Sequence, residues 1–204
     1  MTFFRSTGRR GAAALLAAAL LLPTAASAQF SDSYSFLKAV RERDGTKVTE
    51  LLGQPSATII DTKDRSTGES ALHIVTKRRD ATWLSFLMGK GANVNARDNE
   101  GNTPLMIAAQ IGFPEAVELL IGRRARVDLA NDSGETPLIK AVQRRDLPTV
   151  RLLLAAGADP RHTDSVAGMS ARDYAERDGR SQAILNLIDD SKAKPQAEVA
   201  GPKL

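Results

Sequence analysis

Gly101-Asn102-Thr103-Pro104-Leu105 returns 33 residues later as Gly134-Glu135-Thr136-Pro137-Leu138, and 33 residues earlier Gly68 heads Gly68-Glu69-Ser70-Ala71-Leu72-His73. The segment ends repeat in the same register: Gly91-Ala92-Asn93, Arg124-Ala125-Arg126 and Gly157-Ala158-Asp159. A weaker copy starts one residue late, at Gly168-Met169-Ser170-Ala171. A fixed period of this length marks stacked structural repeats, each too small to bury its apolar face alone.

Within one period the residue types dictate local structure. Thr103, Thr136, Ser70 and Ser170 are placed to accept a hydrogen bond from an otherwise unpaired N–H of a first helical turn. Pro104 and Pro137 follow at the first helical position, where a missing N–H costs nothing. Ala108 and Ala109 are small enough for a neighbouring repeat to approach closely. After a turn comes a second apolar helix, with Val117, Leu119, Leu120 and Ile121 in one copy and Val150, Leu152, Leu153 and Leu154 in the next. Gly91 and Gly157 suit the left-handed conformation that ends such helices. Polar stretches such as 95–100 then read as extended turns or hairpins projecting from the stack. Arg79 and Arg145 stand where glycine is expected between helices, and Arg124 where it is expected at a helix end.

With its T-P-L-H-x-A-like starts and G-A-D-like ends, the chain over about residues 35–190 resembles ankyrin repeats. That resemblance implies an all-α solenoid of helix-turn-helix units joined by β-hairpin-like loops. Full repeats are expected over 64–97, 98–130 and 131–163, with a terminal repeat over 164–190. In the terminal copy Arg172 and Asp173 replace the usual Leu and His, as suits an end unit with one face to water. Residues 29–63 contain two apolar runs without the T-P-L-H start and read as an N-terminal capping helix pair. Residues 191–204, with two prolines and few apolar side chains, read as a disordered tail.

The first 28 residues read as an address. Arg5, Arg9 and Arg10 precede an apolar run from Ala12 to Leu22, then Pro23 and Ala26-Ser27-Ala28. This is the pattern of a secretory signal peptide cleaved after Ala28, in a bacterial style. Its apolar run is shorter than the roughly 20 residues that span a bilayer, so no stable membrane insertion is expected once it is removed. The expected compartment is the periplasm, with secretion as the alternative.

Composition narrows the functions. The 204 residues hold no cysteine and only two histidines, which excludes thiolate nucleophiles, disulfides and Cys-ligated metals. Formal charge is +4, but removing the three signal arginines from 28 basic residues leaves 25 against 24 acidic. Nothing remains to favour nucleic acid. No phosphate-binding glycine loop, nucleophile elbow or zinc-binding helix motif occurs. The pairs Asp189-Asp190 and Asp61-Asp64 read as a helix end and a hairpin rather than as acid–base pairs. The expectation is no enzyme, no cofactor and no metal. His73 takes the motif histidine position, and Trp83 and Phe86 read as packing between helices and the N-terminal cap.

What remains is binding to another protein by a monomer. The resemblance places variable contact positions at the end of each first helix and at each hairpin tip. Those are Lys77 and Arg78, Gln110 and Ile111, Gln143 and Arg144 on the helices. On the tips they include Asn99, Glu100 and Asn102, then Asp132 and Glu135. The helix row is basic at both ends, reinforced by Arg79 and Arg145, with Ile111 between, and the tip row is acidic. The expected site is therefore a bipolar groove that holds a protein segment with its acidic side toward the helices.

Overall fold

In a computed structural model, residues 24–53 and 59–193 are described, with side chains from Asp32. Residues 1–23 and 194–204, which carry most of the expected signal segment and tail, lie outside the described residues. Helix pairs follow one another along the chain: α1 (Thr24–Glu42) with α2 (Gly45–Leu52), then α3 (Ala71–Lys77) with α4 (Ala81–Gly89). The next pairs are α5 (Pro104–Ile111) with α6 (Pro114–Gly122), and α7 (Pro137–Arg144) with α8 (Leu147–Ala155). Last come α9 (Ala171–Arg177) and α10 (Gln182–Ala193). First helices α1, α3, α5, α7 and α9 stack in one row; second helices α4, α6, α8 and α10 stack in another. This is the all-α solenoid read from the period.

Side chains 33 residues apart form the layers of the core. Leu87, Leu120 and Leu153 are fully buried, as are Leu84, Val117 and Val150. Ala108 and Ala109 are equally inaccessible where α5 meets its neighbours. Each full layer of buried leucines removes apolar surface worth about 2 kcal/mol per side chain. That gain exists only when the next repeat is present, which is why the stack rather than the single pair is the folding unit.

Caps set the helix boundaries. Thr103 Oγ1 accepts from Met106 N–H at 3.2 Å and Thr136 Oγ1 from Ile139 N–H at 3.3 Å, each just before its proline. Second helices use aspartate instead: Asp44, Asp80 and Asp146 accept from the backbone N–H of Lys47, Trp83 and Thr149. Between helices the backbone turns left-handed at Arg43 (φ 61°), Arg79 (φ 58°), Gly112 (φ 62°) and Arg145 (φ 60°), and Arg124 does the same after α6 (φ 62°). The three arginines expected at glycine positions thus hold the glycine conformation, and Arg43 is a fourth.

The loops stack as well as the helices. Asn99 N–H donates to Thr67 O at 3.0 Å, Asp132 N–H to Glu100 O at 3.1 Å and Ser165 N–H to Ser133 O at 2.9 Å. Gly68 and Gly134 permit this approach: a Cβ at either would lie within 2.6 to 2.7 Å of the next loop's backbone nitrogen. Two boundaries differ from expectation. The pair Asp189-Asp190 lies inside α10, where the apolar Ile184 and Ile188 continue the helix against the stack, and Asp189 receives a 3.0 Å bond from Arg172. α1 begins at Thr24, upstream of the expected cleavage point, so the backbone of 24–28 is helical.

Candidate functional site

Side chains of α3 and α5 form one wall of the candidate site and the loops that precede these helices form the other. Between them, where the first two full repeats meet, lies a groove of about 450 Å³. It gathers six of the residues expected at the site: Lys77, Gln110 and Ile111 from the helix wall, and Asn99, Glu100 and Asn102 from the loops. Glu69 and Asp98 complete its polar rim, and the buried Ile107 lies in its floor.

The charges are arranged differently from the expected bipolar pattern. Lys77 is ion-paired across the groove to Glu69, so its ammonium is already neutralised. Arg78 leaves the groove altogether: its guanidinium donates to Val40 O at 2.8 Å and Arg41 O at 3.2 Å, binds Asp80 at 3.0 Å and lies over the Trp83 ring. The last carbonyls of α1 have no helical partners, and a cation satisfies them both by hydrogen bonding and through the helix dipole. Arg144, in the same register, lies against Gly112, Pro114 and Asp146 at the turn edge. Arg79 donates to Ile111 O at 2.9 Å and covers the Phe113 ring, while Arg145 binds Asp178. These arginines reach along the stack to the neighbouring unit instead of facing the groove.

Other expected contacts are engaged within the loops. Asn102 is only 5% exposed, donating to Asp98 and Glu100. Its carbonyl receives His73 Nε2 at 2.9 Å. Since His73 Nδ1 accepts from the Ser70 N–H, Nε2 carries the proton. Burial pushes the His73 imidazole below its ordinary value and keeps it neutral. This agrees with a structural part for the motif histidine, and His162 repeats the device by bonding Gly134 O at 3.0 Å. Asp132 is bound by Arg97 at 2.9 Å. Glu135 is bound by Lys140 at 2.5 Å and by Gln143 at 3.4 Å. Burial raises the Glu135 carboxyl, but the Lys140 and Asn131 hydrogen bonds outweigh it and hold the group below the usual carboxylate range. Gln143 lines a further cavity of about 340 Å³ with Tyr174 and Arg177.

Trp83 and Phe86 pack against the core edge-to-face at 5.6 Å, half-buried rather than sealed. Sequence reasoning missed the exposed Tyr34 and Val166. Tyr34 lines a cavity with Leu37 and Arg41 beside the first loop, and Val166 tops the last. Among the described residues no cluster of His, Asp or Glu is placed to hold a metal, and no helix is long and apolar enough to cross a membrane.

A family model described as ankyrin repeats in three copies matches residues 36–131, 72–164 and 106–198. The chain belongs to the ankyrin-repeat family. Among curated relatives, diacylglycerol kinase iota of Mus musculus is 32% identical over 77 residues, 38% of this chain and 7% of the kinase. The Homo sapiens kinase iota is 31% identical over the same length, again 7% of that protein. Nuclear factor NF-kappa-B p110 subunit of Drosophila melanogaster is 35% identical over 52 residues, 26% of this chain and 5% of that protein. The chain thus matches less than a tenth of each relative's length. Ankyrin repeats are protein-interaction modules, generally without catalysis, and they imply a protein partner for this chain.

Proposed function

We propose that the chain is a non-catalytic binding module of the bacterial periplasm, whose concave ankyrin face holds another envelope protein to inhibit, chaperone or assemble it. The observation that carries this reading is the groove between the α3–α5 wall and the loops, where an apolar floor at Ile107 and Ile111 is rimmed by polar groups. An apolar centre within a polar rim is the composition of a binding surface. The periplasmic part rests on the sequence of residues 1–28 alone. After cleavage the chain acts as a soluble monomer, with no cofactor and no nucleic-acid partner.

Two measurements test the reading. Fractionation of cells expressing the full chain, followed by N-terminal sequencing, should find a periplasmic product beginning at Gln29; an uncleaved cytoplasmic product would overturn the assignment of compartment. A photo-crosslinking amino acid at Ile111 should capture a protein that the same group at Glu118 on α6 does not. Equal capture from both positions would remove the groove from the account.

A further inference from the structure

The repeats serve as one another's controls. In the first full repeat the loop carboxylate Glu69 is neutralised by Lys77 of its own first helix, and in the third Glu135 is neutralised by Lys140. In the second repeat the neutral Asn102 stands in the register of Glu69 and Glu135, and the carboxylates lie elsewhere in the loop. This loop carries Asp98 and Glu100 into the groove, but α5 offers only the uncharged Gln110 there. Both carboxylates accept from Asn102 Nδ2, and Asp98 also accepts from the N–H groups of Glu100 and Asn102; neither has a cationic partner among the described residues. A second register break lies opposite. Positions 78 and 144 are arginine and turn away from the groove, whereas position 111 is isoleucine and lines it, so the end of α5 adds an apolar wall.

We infer that this groove takes a lysine or arginine side chain of a partner's extended segment, its aliphatic stem against Ile107 and Ile111 and its charge toward Glu100 and Asp98. Long cationic side chains bury their stems on apolar surface while the head stays in a polar environment. The partner thus supplies the cation that α5 lacks, and electrostatic complementarity selects a basic segment over an acidic one. This reverses the polarity expected from sequence, where the helix row was to receive acidic groups. The inference rests on the concave-face reading and specifies its partner.

The test is selection of a displayed random-peptide library on the full chain, followed by anisotropy titration of labelled synthetic copies of the enriched peptides. Enriched peptides should carry Lys or Arg beside an apolar residue. Their affinity should fall about tenfold with Glu100→Lys and by a similar factor with Ile111→Arg. Ile111→Arg keeps the fold because two other repeats place arginine in that register, and circular dichroism checks both variants. Enriched peptides that are acidic or neutral, or that bind Glu100→Lys as well as the unaltered chain, would overturn the cationic side chain while leaving the groove in place if Ile111→Arg still weakens them. A selection that yields no peptide sensitive to Ile111→Arg would overturn both this inference and the concave-face reading.

Discussion

Arg124 holds a left-handed backbone at φ 62° that a side chain adopts at a cost of about 1 kcal/mol. It is exposed, and among the described residues its guanidinium has no hydrogen bond or ion pair that glycine would forfeit. Arg124→Gly should therefore stabilise the fold by about 0.5–1 kcal/mol in urea unfolding, the gain being reduced by glycine's freedom in the unfolded chain. Arg145 is a contrast at the same φ, because its guanidinium binds Asp178 of the next unit. Arg145→Gly should gain less than Arg124→Gly or lose stability, as measured by the same urea midpoints. His73 gives the residue-scale response to pH. Its folded value lies below 6.5, so above pH 6.5 both states are neutral and the stability is fully present. As pH falls through 6.5 only the unfolded state takes up the proton, and stability declines toward the lower folded value. Unfolding free energies at pH 7.5 and about 5.5 should differ more for the unaltered chain than for His73→Gln; equal differences would contradict the neutral buried imidazole.

At the scale of the element, the N-terminal pair α1–α2 is joined to the first repeat by Arg78, which holds Val40 O and Arg41 O, and by the Arg41–Asp64 pair. The Arg41 and Ser66 partners hold the Asp64 carboxyl well below its usual range, Ser66 contributing most. Arg78→Ala removes charge-assisted bonds to carbonyls with no helical partner, a loss of about 1–3 kcal/mol. Trp83 is the one tryptophan and lies under that guanidinium, so its fluorescence reports the joint. In the variant the fluorescence transition should precede the far-ultraviolet circular-dichroism transition in urea; coincident transitions would show α1–α2 and the repeats still unfolding as one. The helices themselves were legible because Thr-Pro starts and left-handed ends are local signals, each decided by one or two residue types. Arg78 was not legible in the same way. Its register places it at the end of a first helix, but whether it turns to the groove or to α1 depends on which carbonyls lack partners, a property of the neighbouring unit. The same holds for Lys77, whose neutralisation by Glu69 requires the loop to fold back across the wall.

At the scale of the molecule, the 33-residue period fixed the order of elements and the layers of buried Leu87, Leu120 and Leu153. It also identified the wall and loops that border the groove. Charge was the part least available from sequence, since counting basic and acidic positions cannot tell paired groups from unpaired ones. In the folded stack the arginines join neighbouring units, and the groove's unmatched charges are the carboxylates of the second repeat. In the proposed function a protein segment occupies the helix–loop groove at Ile111. The most direct measurement is the dissociation constant of the partner captured by crosslinking at Ile111, determined for the unaltered chain, Ile111→Arg and Glu118→Arg. Ile111→Arg should weaken binding at least about tenfold, while Glu118→Arg, on the exposed face of α6, should change it less than about twofold. Affinity unchanged by Ile111→Arg, with both variants folded, would contradict the claim.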